Sequence, residues 1–575
     1  MTGARALVEI LREYHVDYVF GVPGDTSLPL YEALYDAAPG IRHILARDER
    51  SSGFMADAYA RVSRKVGICE CPSGAGALYS APGVAEANAS SIPVILFTSG
   101  ISLADEGKGA ITELDHHKLF ESITKWSSFL KQPSKIPETV RRAFRVATSG
   151  RPGAVHLAFP KEVLSGEVPT EKLPPYAEAG CESYPAFRTR GAPELVDALA
   201  ELIRASKRVT IVAGGGAVHS QAQPELLELA ERLGAAVVTT ISGQGIIPDM
   251  HPLALGVVGD NGFHPHALRA VQEADLLVYV GCKVGSVSTI KWTLPNPSLA
   301  ETTLNIAQID VEPSQLGNNY RNTLSLVGDV KLVLRDLLAK FRERETSGES
   351  TEWLKSLNSD RRRFWDKASV ALHSDAVPLK PQRIVHEINS RLPGNSIVIA
   401  DAGTPTPHIT RYLRLSGSGS RFIIPRAYGG LGYAIPASVG AWLAAPRSKV
   451  VGLFGDGSFG MSMGELETLV RLGAPVLLIH FNNGCFGWIK TLQALHCKGK
   501  FLSVDFRSGD MSKVAAAFGI RAFHVNTPLE LTDALDEALD GEEPAFLDVV
   551  SEHELAELPP VYSWLRLAGR DPFKH

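Results

Sequence analysis

Short apolar runs recur along the chain at residues 16–20, 41–46, 65–71, 93–98 and 154–159, separated by stretches of helical period. Runs that are apolar throughout are buried on both faces, and joining such strands through helices requires a parallel sheet covered on each side. The pattern stops at 165–191, a linker rich in Pro, Glu and Gly, and resumes at 208–213, 235–240, 276–280 and 303–310. A charged stretch, 340–363, precedes a third set at 396–400, 449–454, 475–481 and 545–550. The expected fold class is therefore α/β, with three doubly wound parallel-sheet domains at 1–165, 192–338 and 381–550 and a tail at 551–575. The first and third read as two copies of one architecture flanking a different middle one.

The third set carries the most telling motif. Gly455-Asp456-Gly457-Ser458 ends one apolar run, a helix is expected over 462–472, and the next run delivers Asn482-Asn483. The spacer is one helix plus one strand long, so two neighbouring strand ends present oxygen ligands at their C-terminal edge. A carboxylate, an amide oxygen and a backbone carbonyl suit a hard cation such as Mg²⁺ that keeps phosphates in its shell. Gly457 lets the backbone approach a phosphate, and Ser458 can donate to it. A Gly-Asp-Gly by itself also makes an ordinary turn; the asparagines at this spacing favour a diphosphate–cation site.

Composition excludes several classes. With 45% hydrophobic and 21% charged residues and a net charge of −5 over 575 residues, nothing suggests a nucleic-acid or membrane-surface partner. Residues 1–16 mix Arg5, Glu9, Arg12 and Glu13 with apolar positions, an amphipathic helix and not a secretory segment. The weakly polar stretch 429–446 is broken by Pro436 and falls short of a membrane span. Six cysteines without a CxxC pair fit a reduced, cytoplasmic protein. In the middle segment Gly214-Gly215-Gly216 follows a strand, but His219 stands at the third glycine position of a dinucleotide turn.

These motifs, in this order, resemble the thiamine-diphosphate-dependent 2-oxo acid decarboxylases and acetolactate synthase-like carboligases. Gly21-Val22-Pro23-Gly24-Asp25 is similar to the family's GxPG turn. Arg47-Asp48-Glu49-Arg50 and the helix at 51–61 match its glutamate and Ala-rich helix, and 150–155 its entry to a strand. Residues 308–313 and 327–330 resemble the ends of its central domain, and Gly429-Gly430-Leu431-Gly432 with Pro436-Ala437 its cofactor loop. The resemblance implies a pyrimidine-binding, a central nucleotide-fold and a diphosphate-binding domain. It implies Glu49 facing N1′ of the aminopyrimidine, Leu431 wedged under the bent cofactor and Gly429 bonding it through its carbonyl. Asp456, the side chain of Asn483 and the main-chain carbonyl of Cys485 would hold the metal, and Thr404, Thr406, Gly455, Gly457 and Ser458 would line the diphosphate. The site would be shared between the first domain of one subunit and the third of its neighbour, in a homodimer or homotetramer.

The same resemblance divides over the reaction. Asp25 and the pair His116-His117 are similar to the acid–base groups of simple decarboxylases. Ile111-Thr112-Glu113 upstream of Ile123-Thr124-Lys125 instead follows the acetolactate synthase spacing, with Ile and Thr in place of Phe and Gln. Ile489, after Asn483-Gly484-Cys485-Phe486-Gly487-Trp488, stands where simple decarboxylases carry an acid. Lys283-Val284-Gly285-Ser286 replaces the Arg-Phe-Asp-Asp run of flavin-holding members, which argues against FAD and leaves ADP as a central ligand. The expected activity is decarboxylation of a 2-oxo acid with acyloin carboligation onto a carbonyl acceptor, the substrate pocket formed by Ile111, Thr112, Trp488 and Ile489. The alternatives are a 2-hydroxyacyl-CoA lyase acting on acyl-CoA, a simple 2-oxo acid decarboxylase, and an inactive regulatory paralogue. The tail is expected either to fold over the site or to strap the surface.

Overall fold

The computed structural model describes residues 1–169, 176–341, 348–415, 421–507 and 509–573. Three six-stranded, wholly parallel sheets follow one another along the chain, each flanked by helices. The first comprises β1 (Tyr18–Gly21), β2 (Arg42–Leu45), β3 (Gly67–Cys71), β4 (Val94–Gly100), β5 (Trp126–Phe129) and β6 (Val155–Pro160), in the order β2-β1-β3-β4-β6-β5. The second comprises β7 (Val209–Ala213), β8 (Ala236–Thr239), β9 (Ala254–Val257), β10 (Leu276–Val280), β11 (Asn305–Asp310) and β12 (Leu324–Val327), in the order β12-β11-β10-β7-β8-β9. The third comprises β13 (Ile397–Ala400), β14 (Arg421–Ile423), β15 (Val450–Gly455), β16 (Leu477–Asn482), β17 (Arg521–Val525) and β18 (Ala545–Val550), in the order β14-β13-β15-β16-β18-β17.

Numbered within each unit, the first and third sheets share the order 2-1-3-4-6-5, whereas the second has the dinucleotide-fold order 3-2-1-4-5-6. The duplication read from the sequence is thus a duplication of topology. Central strands are apolar throughout because both faces are covered: β3, β4, β6, β7 and β10 are buried at every position.

The first and third units share one hydrophobic cluster, which joins Phe20, Phe54 and Leu96 to Ile399, Tyr433 and Phe454. Its seam is the helix Glu49–Ser63 laid on the helix Ala434–Ala444. A Cβ added at Gly440 would stand 2.1 Å from the carbonyl oxygen of Met55, so only glycine permits this approach. Across the seam the Tyr433 hydroxyl donates to Asp57 at 2.5 Å, and Arg61 holds the same carboxylate at 2.8 Å.

The charged stretch after the second unit includes the helix Gly348–Leu372, whose Trp353 and Leu357 enter the core of that unit. The tail is docked rather than a loose strap. Leu558, Val561, Trp564 and Leu565 are buried in the second unit's core, and the N–H of Tyr562 donates to the carbonyl of Asp260 at 2.7 Å. Part of the expected linker (170–175) lies outside the described residues. No helix among those described is long and apolar enough to cross a membrane.

Candidate active site

The expected meeting of strand ends occurs. Gly455 of β15 pairs with Phe481 of β16, so Asp456 and Asn483 leave the sheet side by side, and the N–H of Asn483 donates to Asp456 Oδ2 at 3.1 Å. The helix here begins at Asp456 itself, running Asp456–Ser462 before a second, Glu465–Leu472, so the motif forms its first turn and no side chain caps it. Burial pushes the Asp456 carboxyl above its ordinary range, and among the described residues no Lys or Arg comes within ion-pair distance of it. Behind it His480, fully buried on β16, holds Asp548 through Nδ1 at 2.9 Å and points Nε2 at Asp456 Oδ1, 3.7 Å away.

Leu431 lies over this turn: its Cδ1 would be 3.5 Å from a Cβ at Gly457. The same test shows a second close neighbour of Gly457. A Cβ there would meet the Phe486 ring at 2.3 Å, so glycine is required by the aromatic ring beside it. The loop carrying Gly429 (φ +68°) and Gly432 (φ +85°) is anchored from the first unit. There the buried Glu86 accepts N–H bonds from Ala427, Tyr428 and Gly429 at 3.0, 2.8 and 3.3 Å.

The hydroxyls expected on the diphosphate are turned onto protein acceptors. Thr404 donates to Glu554 and Thr406 to the main-chain carbonyl of Asp401, while Ser458 is bonded to the Asp401 carboxyl. Burial raises Asp401 to about 7, although Ser458 and the N–H groups of Ala434 and Ala402 pull it back. Glu554, from the tail, also takes the Asn483 Nδ2 at 2.8 Å. Asn483 Oδ1 is thereby left on the other side, 3.3 Å from the Cys485 thiol.

In the first unit Glu49 opens the helix Glu49–Ser63 and is half-buried against the turn after β3, 3.1 Å from a Cβ placed on Gly76. Burial, with Asp48 and Glu70 nearby, raises its carboxyl. Asp25 is exposed after β1 and accepts the Thr26 N–H at 2.8 Å. His116 is not at a solvated helix start: it is buried, and burial lowers it to about 4. His117 is half-buried, with Nδ1 on Ser127 at 2.9 Å.

Three family models match in order: the thiamine pyrophosphate enzyme N-terminal TPP binding domain over residues 1–119, the central domain over 196–337 and the C-terminal TPP binding domain over 401–549. The chain is 37% identical to a "Probable acetolactate synthase large subunit" of Methanocaldococcus jannaschii, over 97% of its own length and 94% of the relative's. It is 32% identical to an "Acetolactate synthase" of Mycobacterium bovis, over 94% and 86%. It is also 31% identical to one of Arthrospira platensis, over 96% and 94%. The chain belongs to the acetolactate synthase-like family of thiamine-diphosphate-dependent enzymes. The residues present fit that cofactor. A half-buried carboxylate with no Lys or Arg beside it, an amide oxygen whose neighbour is only the weakly donating Cys485 thiol, and a helix start without a cap are what a cation–diphosphate group satisfies.

The expected pocket residues are not gathered within one chain of this family member. Ile111 is 87% exposed, and Thr112 (φ +64°) bonds Ser73 in the first unit. Trp488 packs on Trp564 of the tail with ring centroids 4.4 Å apart, and Ile489 is 47% exposed. A cavity of about 340 Å³ opens where the middle unit's strand order reverses, lined by Gly214, Gly281 and Lys283 of that unit, Arg151 of the first and Arg426 of the third. Gly214 and Gly216 serve there to let two βα turns meet, since a Cβ on either would strike Gly281 at 2.2 and 2.8 Å. Sequence reasoning missed Glu86, His480 and Glu554. Glu86 is a lone acid in the small-residue helix Ala75–Ala89, and His480 interrupts an apolar strand just before the asparagines, so both left a signal. Glu554 sits in an acidic stretch and left none.

Proposed function

We propose that the protein is a thiamine-diphosphate- and Mg²⁺-dependent carboligase that decarboxylates a 2-oxo acid and joins the remaining fragment to a second carbonyl, an acetolactate synthase-type reaction. The observation that carries this reading is the pairing of Asp456 and Asn483 at neighbouring strand ends beneath Leu431. Its setting is a chain that matches acetolactate synthases over nearly its whole length. The units at 1–165, 192–338 and 381–550 are the pyrimidine-binding, central and diphosphate-binding domains.

Asp456, Asn483 Oδ1 and the carbonyl of Cys485 hold Mg²⁺. The turns with Thr404, Thr406, Gly455 and Ser458 would hold the diphosphate, the hydroxyls exchanging their bonds to Glu554 and Asp401 for the phosphate oxygens. Bound thiamine diphosphate supplies the carbanion chemistry. Glu49, its affinity for a proton raised by burial, would be the carboxyl that holds a proton against the cofactor's aminopyrimidine. His116 and His117, with Asp25, move protons at the reacting carbonyl, and Ile111, Thr112, Trp488 and Ile489 wall the substrate.

Glu49 and Asp25 act with the Asp456 of a neighbouring subunit in a homodimer or homotetramer. The bare apolar side chains of Ile111 and Ile489 support that arrangement, since a second copy would cover them. The switch-point cavity suits ADP better than FAD in this reading, and the location is cytoplasmic. Buried His116 favours a second reading, simple decarboxylation, because an imidazole at that position would deliver the proton that takes the place of the lost carboxylate before an aldehyde is released.

The deciding experiment is product analysis with pyruvate alone, with aldehyde acceptors and with formyl-CoA. Acetohydroxy acid from pyruvate supports the first reading; acetaldehyde alone would replace it with the second.

A further inference from the structure

Five buried or half-buried side chains of the first unit form an unbroken hydrogen-bonded line. His116 Nδ1 meets Thr98 Oγ1 at 2.8 Å, and Thr98 Oγ1 meets His156 Nε2 at 2.9 Å. His156 Nδ1 meets Ser127 Oγ at 2.9 Å, and Ser127 Oγ meets His117 Nδ1 at 2.9 Å. Thr98 and His156 are fully enclosed, on the neighbouring strands β4 and β6, and Ser127 lies on β5. Consecutive residues at a helix start, His116 and His117, are thereby joined through the sheet and not through each other. We propose that His116, Thr98, His156, Ser127 and His117 constitute one proton wire, with Thr98, His156 and Ser127 as positioning residues that couple the two outer imidazoles.

The donor arithmetic permits this. A neutral imidazole has one N–H and one bare nitrogen, and a hydroxyl has one proton to give and room to accept one. In one state His116 donates from Nδ1 to Thr98, Thr98 to His156 Nε2, His156 from Nδ1 to Ser127, and Ser127 to His117 Nδ1, leaving His116 Nε2 bare and His117 Nε2 protonated. A proton arriving at His116 Nε2 advances each bridging proton by one bond and releases the Nε2 proton of His117. Every group ends neutral with its tautomer reversed, so one proton enters and one leaves. Burial lowers His116 to about 4 and His156 well below its ordinary value, so both imidazoles are neutral near neutral pH, as such a relay requires.

The inner end adjoins the half-site already described. Ser99, the next residue to Thr98 on β4, accepts the Thr26 hydroxyl at 3.1 Å. That hydroxyl in turn accepts the N–H of Ser73, at the turn facing Glu49. His117, half-buried, is the end with access to water. The wire rests on the acid–base roles proposed above for His116 and His117, and gives them a route for the proton they exchange.

The test uses the full chain, labelled with ¹⁵N-histidine and free of cofactor, with long-range ¹H–¹⁵N spectra reporting the tautomer of each imidazole. Thr98→Val should change the Nδ1–H to Nε2–H ratio of His117, which Thr98 does not bond, by about twofold or more, the preference that one weak hydrogen bond confers. Ser127→Ala should do the same to His116. Changes confined to directly bonded neighbours in both variants would overturn the wire. A separate arm reads turnover of the loaded enzyme in mixed H₂O and D₂O, where a multi-proton dependence in the parent should become single-proton in Thr98→Val. Remote tautomer shifts with unchanged turnover would leave the wire standing and remove the acid–base reading of the two histidines.

Discussion

Glu86 is the residue on which the cofactor loop hangs, and its replacement by glutamine is expected to cost far more than isosteric change suggests. One carboxylate oxygen takes the N–H of Ala427 and the Ser90 hydroxyl; the other takes the N–H groups of Tyr428 and Gly429. An amide keeps one oxygen. With it turned toward Tyr428 and Gly429, the amide NH₂ faces the N–H of Ala427, and one part-buried donor loses its partner at about 1 kcal/mol, the low end of the range for such a loss. The two surviving bonds lose their charge assistance, roughly half their strength. The sum, about 2–4 kcal/mol, falls on a loop in which Gly429 and Gly432 already hold left-handed backbone.

If Leu431 must be presented by that loop, the loss emerges mainly as weaker cofactor binding, about 30-fold or more for the lower figure. Tryptophan quenching on titration with thiamine diphosphate and Mg²⁺ reads the affinity, and urea unfolding reads the global stability. Ser90→Ala, which removes a hydroxyl from the same carboxylate but no loop N–H, should leave the affinity within about threefold. An affinity for Glu86→Gln as close to the parent's as that of Ser90→Ala would refute the anchoring argument.

Gly457→Ala should push the Phe486 ring aside and abolish cofactor binding by calorimetry while the chain stays folded, and adding Phe486→Leu should restore part of it; binding by the single variant would dismiss the steric account. Glu554→Gln sets an amide NH₂ against Asn483 Nδ2 and lets that side chain flip, so the Mg²⁺ requirement should rise about tenfold or more in a metal titration at fixed cofactor. Asp401 carries a pH signature. Its folded pKa, about 7, lies above the unfolded carboxylate value, so it binds a proton that the unfolded chain releases, and stability falls as pH rises from about 4 to 7. Asp401→Asn should flatten the urea midpoint across that window by at most about 1.4 kcal/mol per pH unit; an unchanged slope would show that Asp401 is not held protonated.

The sequence revealed the sheets through their middles. The strands with no expected apolar run are β5, β9, β12, β14 and β17, and every one is an edge of its sheet. An edge strand is covered on fewer sides, and the polar, half-exposed patterns of β12 and β17 carry little period for a reader to find. The meeting of Asp456 and Asn483 was legible because both residues stand at the ends of central strands, where hydrophobic run and polar motif are contiguous. Glu554 was not, and Glu86, though marked as a lone acid in its helix, gave no hint of the loop it holds, because a contact with a loop or amide far away in sequence leaves no spacing to read. Gly457 illustrates the converse. The glycine signals a close approach, but nothing in the sequence names the Phe486 ring that lies beside it.

The repeated strand order places a crevice at the same point of the first and third units. In a sheet ordered 2-1-3-4-6-5, the crevice at the carboxyl ends opens between the first and third strands, where successive connections leave in opposite directions. In the first unit that crevice lies between the turn after β1, with Asp25, and the turn after β3, which Glu49 faces. In the third it lies between the turn after β13, with Asp401 and Thr404, and the turn after β15, with Asp456. Each crevice presents groups for one end of a ligand and stays open at the other. The helices Glu49–Ser63 and Ala434–Ala444, pressed together at Gly440, fix the two units of a chain in one relation. In the shared-site reading proposed above, a neighbouring chain's duplicate would meet these crevices by the same geometry twice, which is a two-fold arrangement.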